Sequence, residues 1–178
     1  MTRLISFLGL LLMGLLTAGL LAGCTGEGDR VQYSDDPYAY GERIYQLRCQ
    51  TCHQMDGSGI AGAFPPLTPN EWVLGDEGRF IRLVLHGVRG EMEVDGTTYN
   101  GVMPGFGYLS DEEVAAVITY VRQSFGNDTT AVRSEQVAAV RAHDEAPRGG
   151  WHADDLWEAT GIPTLNTTDA PDETPIAE

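Results

Sequence analysis

The chain has 178 residues, of which 26 are Asp or Glu and 11 are basic, giving a net charge of −15. That length admits one domain of ordinary size with extensions, and an apolar content of 42% supplies a modest core. Nucleic acid is excluded as a partner class, because neutralising phosphates requires a surplus of basic side chains, and here all eleven are Arg.

Residues 1–23 read as an export signal and not as part of the fold: Arg3 precedes an uncharged apolar run from Leu4 to Ala22. The run ends Leu21-Ala22-Gly23-Cys24, and small residues directly before a cysteine resemble a bacterial lipoprotein signal, in which diacylglycerol is attached to the Cys24 sulfur. The competing reading is an uncleaved anchor, since nineteen apolar residues are long enough to span a bilayer. Both readings tether the remainder at the periplasmic, or extracytoplasmic, face of a membrane. Residues 24–35 are polar with two glycines after the cysteine and form a flexible tether.

A folded domain is expected over 36–126. Asp36 followed by Pro37 is a helix start, and the helix runs to about Leu47 with Tyr40, Ile44 and Leu47 on one face. Then comes the most specific signal in the chain, Cys49-Gln50-Thr51-Cys52-His53. Two thiols at this spacing can each add to a haem vinyl group, and the adjacent imidazole is brought under the iron. A thioredoxin-like CxxC is the first alternative, but a helix and not a strand precedes the pair. A zinc site lacks two further ligands at close spacing, and a structural disulfide remains open in an exported protein.

After His53 the chain is loop-like, with Gly57, Gly59 and Gly62 before Phe64-Pro65-Pro66-Leu67, a composition that can wrap a bulky cofactor or form a surface loop. Trp72 and Val73 suggest a short helical turn, and a clearer helix runs from Asp76 to a stop at Gly87. Met92 to Tyr99 reads as a small hairpin turning at Asp95-Gly96, and Gly101 to Gly107 as an extended loop. Ser110 with Glu113 is a capping box, opening a helix with Val114, Val117, Ile118, Val121 and Phe125 buried and Gly126 at its end. Residues 127–159 form a helical extension, with a helix over Ser134 to Ala142 and a terminal turn docked by Trp151, Leu156 and Trp157; residues 160–178 are an acidic tail without core-forming periodicity.

Taken together, the first helix with Gly41 and Tyr45, the CxxCH, Pro65-Pro66-Leu67, Leu85-His86-Gly87, the run Tyr99 to Phe106 and the helix ending Tyr120 to Asn127 resemble the small monohaem class I cytochromes c. The later runs are similar to cytochromes that accompany bacterial respiratory oxidases and periplasmic dehydrogenases. The resemblance implies a mostly α class I cytochrome c fold, helices wrapped around one covalent haem c with a small β-hairpin. It implies thioether links at Cys49 and Cys52, with His53 and Met103 as axial iron ligands. Rivals for the sixth position are Met92 and His86, the latter also explained as a helix C-terminal residue; Met55 is too near His53. Pro65 would offer its carbonyl to the His53 ring, and Trp72 and Tyr99 would hydrogen-bond the haem propionates or simply pack in the core.

The implied role is single-electron transfer without bond chemistry, between a respiratory or dehydrogenase donor and a terminal acceptor. Partners are then an oxidase, a dehydrogenase or a quinol-oxidising complex, with basic docking surfaces facing this acidic chain, which has no lysine ring of its own. The alternatives from other classes are a gas-binding or peroxidatic haem protein with an open iron site and a haem-free thiol-disulfide oxidoreductase.

Overall fold

The computed structural model describes Tyr33, residues 36–145 and residues 147–164. The signal, Cys24, most of the tether and the tail beyond residue 164 lie outside these. Helix α1 (Pro37–Arg48) opens where expected: the Asp36 carboxylate accepts from the backbone N–H of Tyr38 at 3.0 Å and of Ala39 at 3.1 Å, and Pro37 has no N–H to satisfy. Its buried face is Gly41, Ile44 and Tyr45. Leu47 is 66% exposed, so the expected stripe is wrong at its last position. The helix stops at Cys49 and resumes as a single turn, α2 (Gln50–His53).

Asn70 caps the short α3 (Glu71–Leu74) by accepting from Trp72 and Val73, and Asp76 caps α4 (Glu77–His86) by accepting from Arg79 at 2.8 Å. Gly87 ends α4 at φ +76°, and a Cβ there would lie 2.3 Å from the Met103 carbonyl oxygen. Strands β1 (Gly87–Val94) and β2 (Thr97–Pro104) pair antiparallel through a turn whose Asp95 and Gly96 both have positive φ. The hairpin is longer than its sequence indicates. Gly101 to Pro104, expected as loop, pair with Gly87 to Gly90.

The Ser110 capping box is present at the start of α5 (Asp111–Arg122), which buries Val114, Val117, Ile118 and Val121. It ends at Arg122 and not at Gly126; Phe125 takes a left-handed φ of 57° outside the helix. α1 crosses α5 at Gly41, where a Cβ would lie 2.1 Å from the Ala116 carbonyl oxygen. No side chain fits between the two backbones there.

The extension is α6 (Ser134–His143), β3 (Trp151–His152) and α7 (Ala153–Glu158), and the sheet order is β2-β1-β3 with β3 parallel to β1. Val132, Val137, Val140, Ala153 and Leu156 join the same core as the helices before them, so residues 127–159 are packed into the domain and not appended to it. Arg122, 2% exposed, is the junction. It donates to the carbonyls of Val73 at 2.8 Å and Gly75 at 3.2 Å and to Thr129 Oγ1 at 3.1 Å, with Glu77 3.6 Å away.

A second junction is the Arg82 guanidinium on Asp144, Nε to Oδ2 at 2.5 Å with both side chains largely buried. Burial by itself pushes the Asp144 carboxyl up, but hydrogen bonds from His143 and Arg82 and the charge of Arg82 outweigh it and hold the group below its ordinary value. A carboxyl depressed in the folded state adds stability that is complete above the unfolded value of about 3.9 and is lost as pH falls through the lower folded one. Thermal melts between pH 6 and about 2 are therefore expected to lose less stability in Asp144→Asn than in the wild type, from an already lower starting point.

Candidate functional site

The residues singled out by the sequence converge on one cleft. Cys49 and Cys52 reach it from the α1–α2 junction, His53 from the end of α2, Pro65 from the loop that follows, Trp72 from α3, and Tyr99 and Met103 from β2. Its inner wall is the centre of the core, Ile44, Val73, Phe80, Leu83, Val117 and Ile118 among others. The cleft holds a cavity of about 160 Å³, open to solvent at its mouth and lined mostly by apolar side chains. Protein interiors pack without voids of that size, so the cleft is shaped for a large, mostly apolar occupant.

His53 is 8% exposed and its Nδ1 lies 2.9 Å from the Pro65 carbonyl oxygen. A carbonyl can only accept, so Nδ1 carries the proton and donates it, which leaves Nε2 as a bare lone pair. Burial lowers the pKa of the ring, partly offset by the Pro65 hydrogen bond, and keeps it neutral as a metal ligand must be. The loop that supplies Pro65 is held by Asn70, which donates to the carbonyls of Pro66 at 3.1 Å and Thr68 at 2.8 Å, and by Asn127, which donates to the Leu67 carbonyl at 2.8 Å.

Cys49 and Cys52 are not joined in a disulfide. Burial, with a contribution from Cys52, pushes the Cys49 thiol up to about 12. A redox-active CxxC works with a depressed thiol pKa, so this pair is poorly placed for thiol exchange. Among the described residues no group of three or more His, Cys, Asp or Glu is arranged to hold a metal ion, which removes the zinc alternative there.

Of the candidate sixth ligands, Met103 and Met92 both line the cleft, on facing strands at register positions opposite Val88 and Tyr99. His86 does not reach it; as expected it is the last residue of α4, beside the capping Gly87, its Nε2 is buried without a partner among the described residues, and burial lowers its pKa. Met55 is 77% exposed and outside the cleft. Trp72 is corrected as a propionate donor: its single N–H is spent on the Glu93 carbonyl at 3.0 Å, so it serves as wall. Tyr99 is buried at the cleft, and its hydroxyl has no hydrogen-bond partner among the described residues.

Two residues that sequence reasoning missed are Arg48 and Arg89, which line the cleft where no Asp or Glu does. Arg48 adjoins Cys49 and was readable from that neighbourhood; nothing local marks Arg89. Two cations and no carboxylate, in a chain of net charge −15, suit an occupant that itself carries carboxylates. The donor set and the apolar wall therefore fit a haem.

Fold and site define a helix-rich domain built around a covalently attached haem, with a small three-stranded sheet closing one side. The chain belongs to the cytochrome c family, whose model matches residues 38–125. It is 40% identical over 120 residues to cytochrome c-552 of Thermus thermophilus, a match covering 62% of this chain and 90% of that protein. It is 34% identical over 90 residues to the cytochrome c subunit of the quinone alcohol dehydrogenase of Gluconobacter oxydans, covering 49% of this chain and 19% of the relative. The cytochrome subunit of fructose dehydrogenase from Gluconobacter japonicus is 33% identical over 112 residues, covering 57% of this chain and 22% of that subunit. Membership carries covalent haem c, which Cys49, Cys52 and His53 fit, and electron transfer as the function.

Proposed function

We propose that this protein is a monohaem electron carrier with His53 and Met103 as the axial ligands of its iron, held by lipid on Cys24 at the periplasmic face of a bacterial membrane. The observation that carries the ligand assignment is the His53 ring, fixed by the Pro65 carbonyl with Nε2 bare, in a cleft to which β2 brings Met103. The haem, when bound, supplies a one-electron iron couple. The chain does the rest. Cys49 and Cys52 fix the group covalently, Met103 offers a soft neutral thioether that favours the reduced metal, and the apolar wall keeps water out.

With both axial positions taken by protein, no site is left for a gas or a peroxide. The test is the visible spectrum of the purified protein, oxidised and reduced, with carbon monoxide added last. A sharp low-spin spectrum indifferent to the gas is expected; a spectrum that responds to it moves the function to ligand binding or catalysis.

The donors and acceptors fit the same reading. Relatives that are subunits of dehydrogenases support a dehydrogenase or quinol-oxidising complex as donor, with an oxidase or similar acceptor. A fixed subunit of such a complex is the close variant, distinguished by co-purification in mild detergent. The acidic excess favours partners with basic docking surfaces. Two or three acyl chains hold a protein on a bilayer for long times and confine its diffusion to the surface. Cys24→Ala is expected to shift the protein from the detergent phase to the aqueous phase on partitioning, or to leave it unprocessed; unchanged partitioning of a processed protein would remove the lipid anchor.

A further inference from the structure

Among the described residues three arginines are buried, Arg79 at 6% exposure, Arg82 at 5% and Arg122 at 2%. Two of them meet oxygen acceptors. Arg82 lies on the Asp144 carboxylate and donates to the Gly161 carbonyl, and Arg122 donates to the carbonyls of Val73 and Gly75 with Glu77 beside it. Arg79 differs: its buried Nε has no hydrogen-bond partner, and no carboxylate among the described residues forms an ion pair with it. Asp76 and Glu71 act on it through charge alone, and the Asp76 carboxylate is already taken by the backbone N–H groups of Arg79 and Gly161. What the guanidinium does meet is two indole rings. Its central carbon lies 3.9 Å from the centre of the Trp157 ring and 5.5 Å from that of Trp72, and the two rings meet edge to face at 5.0 Å.

Aromatic faces hold a cation in place without cancelling its charge. Trp72 lines the cleft, whereas Arg79 and Trp157 do not, so the cation stands one ring behind the wall and half-buried Trp157 of α7 covers it. An unpaired ion in the interior costs free energy that an apolar side chain of similar volume would not, so packing does not account for an arginine here. Its charge does. A haem carries one more positive charge oxidised than reduced, and a fixed cation acting through a low dielectric opposes the oxidised state. We infer that Arg79 is a potential-setting residue, a buried and unneutralised cation that Trp157 holds behind the cleft wall and that raises the reduction potential of the protein. The helical extension thereby acts on the electron chemistry without touching the cleft. This rests on the electron-carrier reading above, and not on which methionine ligates the iron.

The test is a redox titration of the full haem-loaded protein against a reference couple, at about 0.01 M and about 1 M salt. Arg79→Gln is expected to shift the equilibrium constant for electron exchange about tenfold toward the oxidised protein, which is about 59 mV for one electron. The shift persists at both salt concentrations, because a buried charge is little screened. Arg79→Lys keeps the charge and is expected to stay close to the wild type. Trp157→Ala lets water reach the guanidinium and is expected to move the potential part of the way to that of Arg79→Gln, while adding nothing when combined with it. Unchanged visible spectra certify the haem site of each variant. Equal potentials in wild type and Arg79→Gln would overturn the inference, as would an equal fall in Arg79→Lys or a shift confined to low salt. If Arg79→Gln does not fold, Trp157→Ala decides alone, and an unchanged potential there overturns the inference. A wild type without a reversible one-electron couple would overturn the carrier reading instead.

Discussion

Met103→Ala is expected to lower the reduction potential by on the order of 0.1 V or more, within the roughly 0.8 V range that axial ligands command, and to let carbon monoxide bind the reduced protein. Two methionines line the cleft, so the paired variant decides the assignment: Met92→Ala should change neither quantity. The physical reason lies in the backbone around Met103. Gly87 lets the β1 chain pass so close to Met103 that a Cβ there would lie 2.3 Å from its carbonyl oxygen, and Pro104 follows in register with Gly87, so the position is pinned from its own strand and from its neighbour. A thioether held there is neutral and soft, and its loss removes the preference for the reduced metal. If Met92→Ala and not Met103→Ala opened the site to the gas, the ligand assignment would pass to Met92.

Cys52→Ala is expected to lose most of the folded protein as well as its redox activity. The cleft is lined by the same side chains that make the core, Val73, Phe80, Leu83 and Ile118 among them. A cavity costs about 24 cal/mol per Å³ where the surroundings do not relax, so an unfilled space of about 160 Å³ amounts to roughly 4 kcal/mol. That is a large part of the whole stability of an ordinary domain, about 5–15 kcal/mol. Far-ultraviolet circular dichroism and thermal melting of the variant check this. Native-like helix content with a cooperative transition would show that the polypeptide holds its fold without the covalent group.

Several features were legible before any tertiary information because their chemistry is complete within a few residues. Asp36, Asp76 and the Ser110 and Glu113 pair each satisfy helix-end N–H groups from their own or adjacent positions, and Asp95-Gly96 sets its turn by its own φ values. The CxxCH is of the same kind: two thiols and an imidazole on adjacent turns announce their cofactor by spacing alone.

What resisted was decided by neighbours remote in the chain. Gly101 to Pro104 carry no strand signal, yet they complete the ladder because β1 offers them donors and acceptors in register. Leu47 reads as core and is exposed, since α1 buries the face that meets α5 and the aromatic rings of Tyr120 and Phe125 pack on Tyr45 instead. The Trp72 N–H goes to Glu93 because the hairpin passes it, and no local pattern says so. Arg122 is among the most buried side chains, because carbonyls of Val73 and Gly75 converge on it, and nothing adjacent in the chain marks it for burial. The sequence by itself determined the cofactor chemistry and the points where helices begin. Only tertiary structure decided which methionines and arginines reach the cleft, because that depends on which strand edges and loops meet in space.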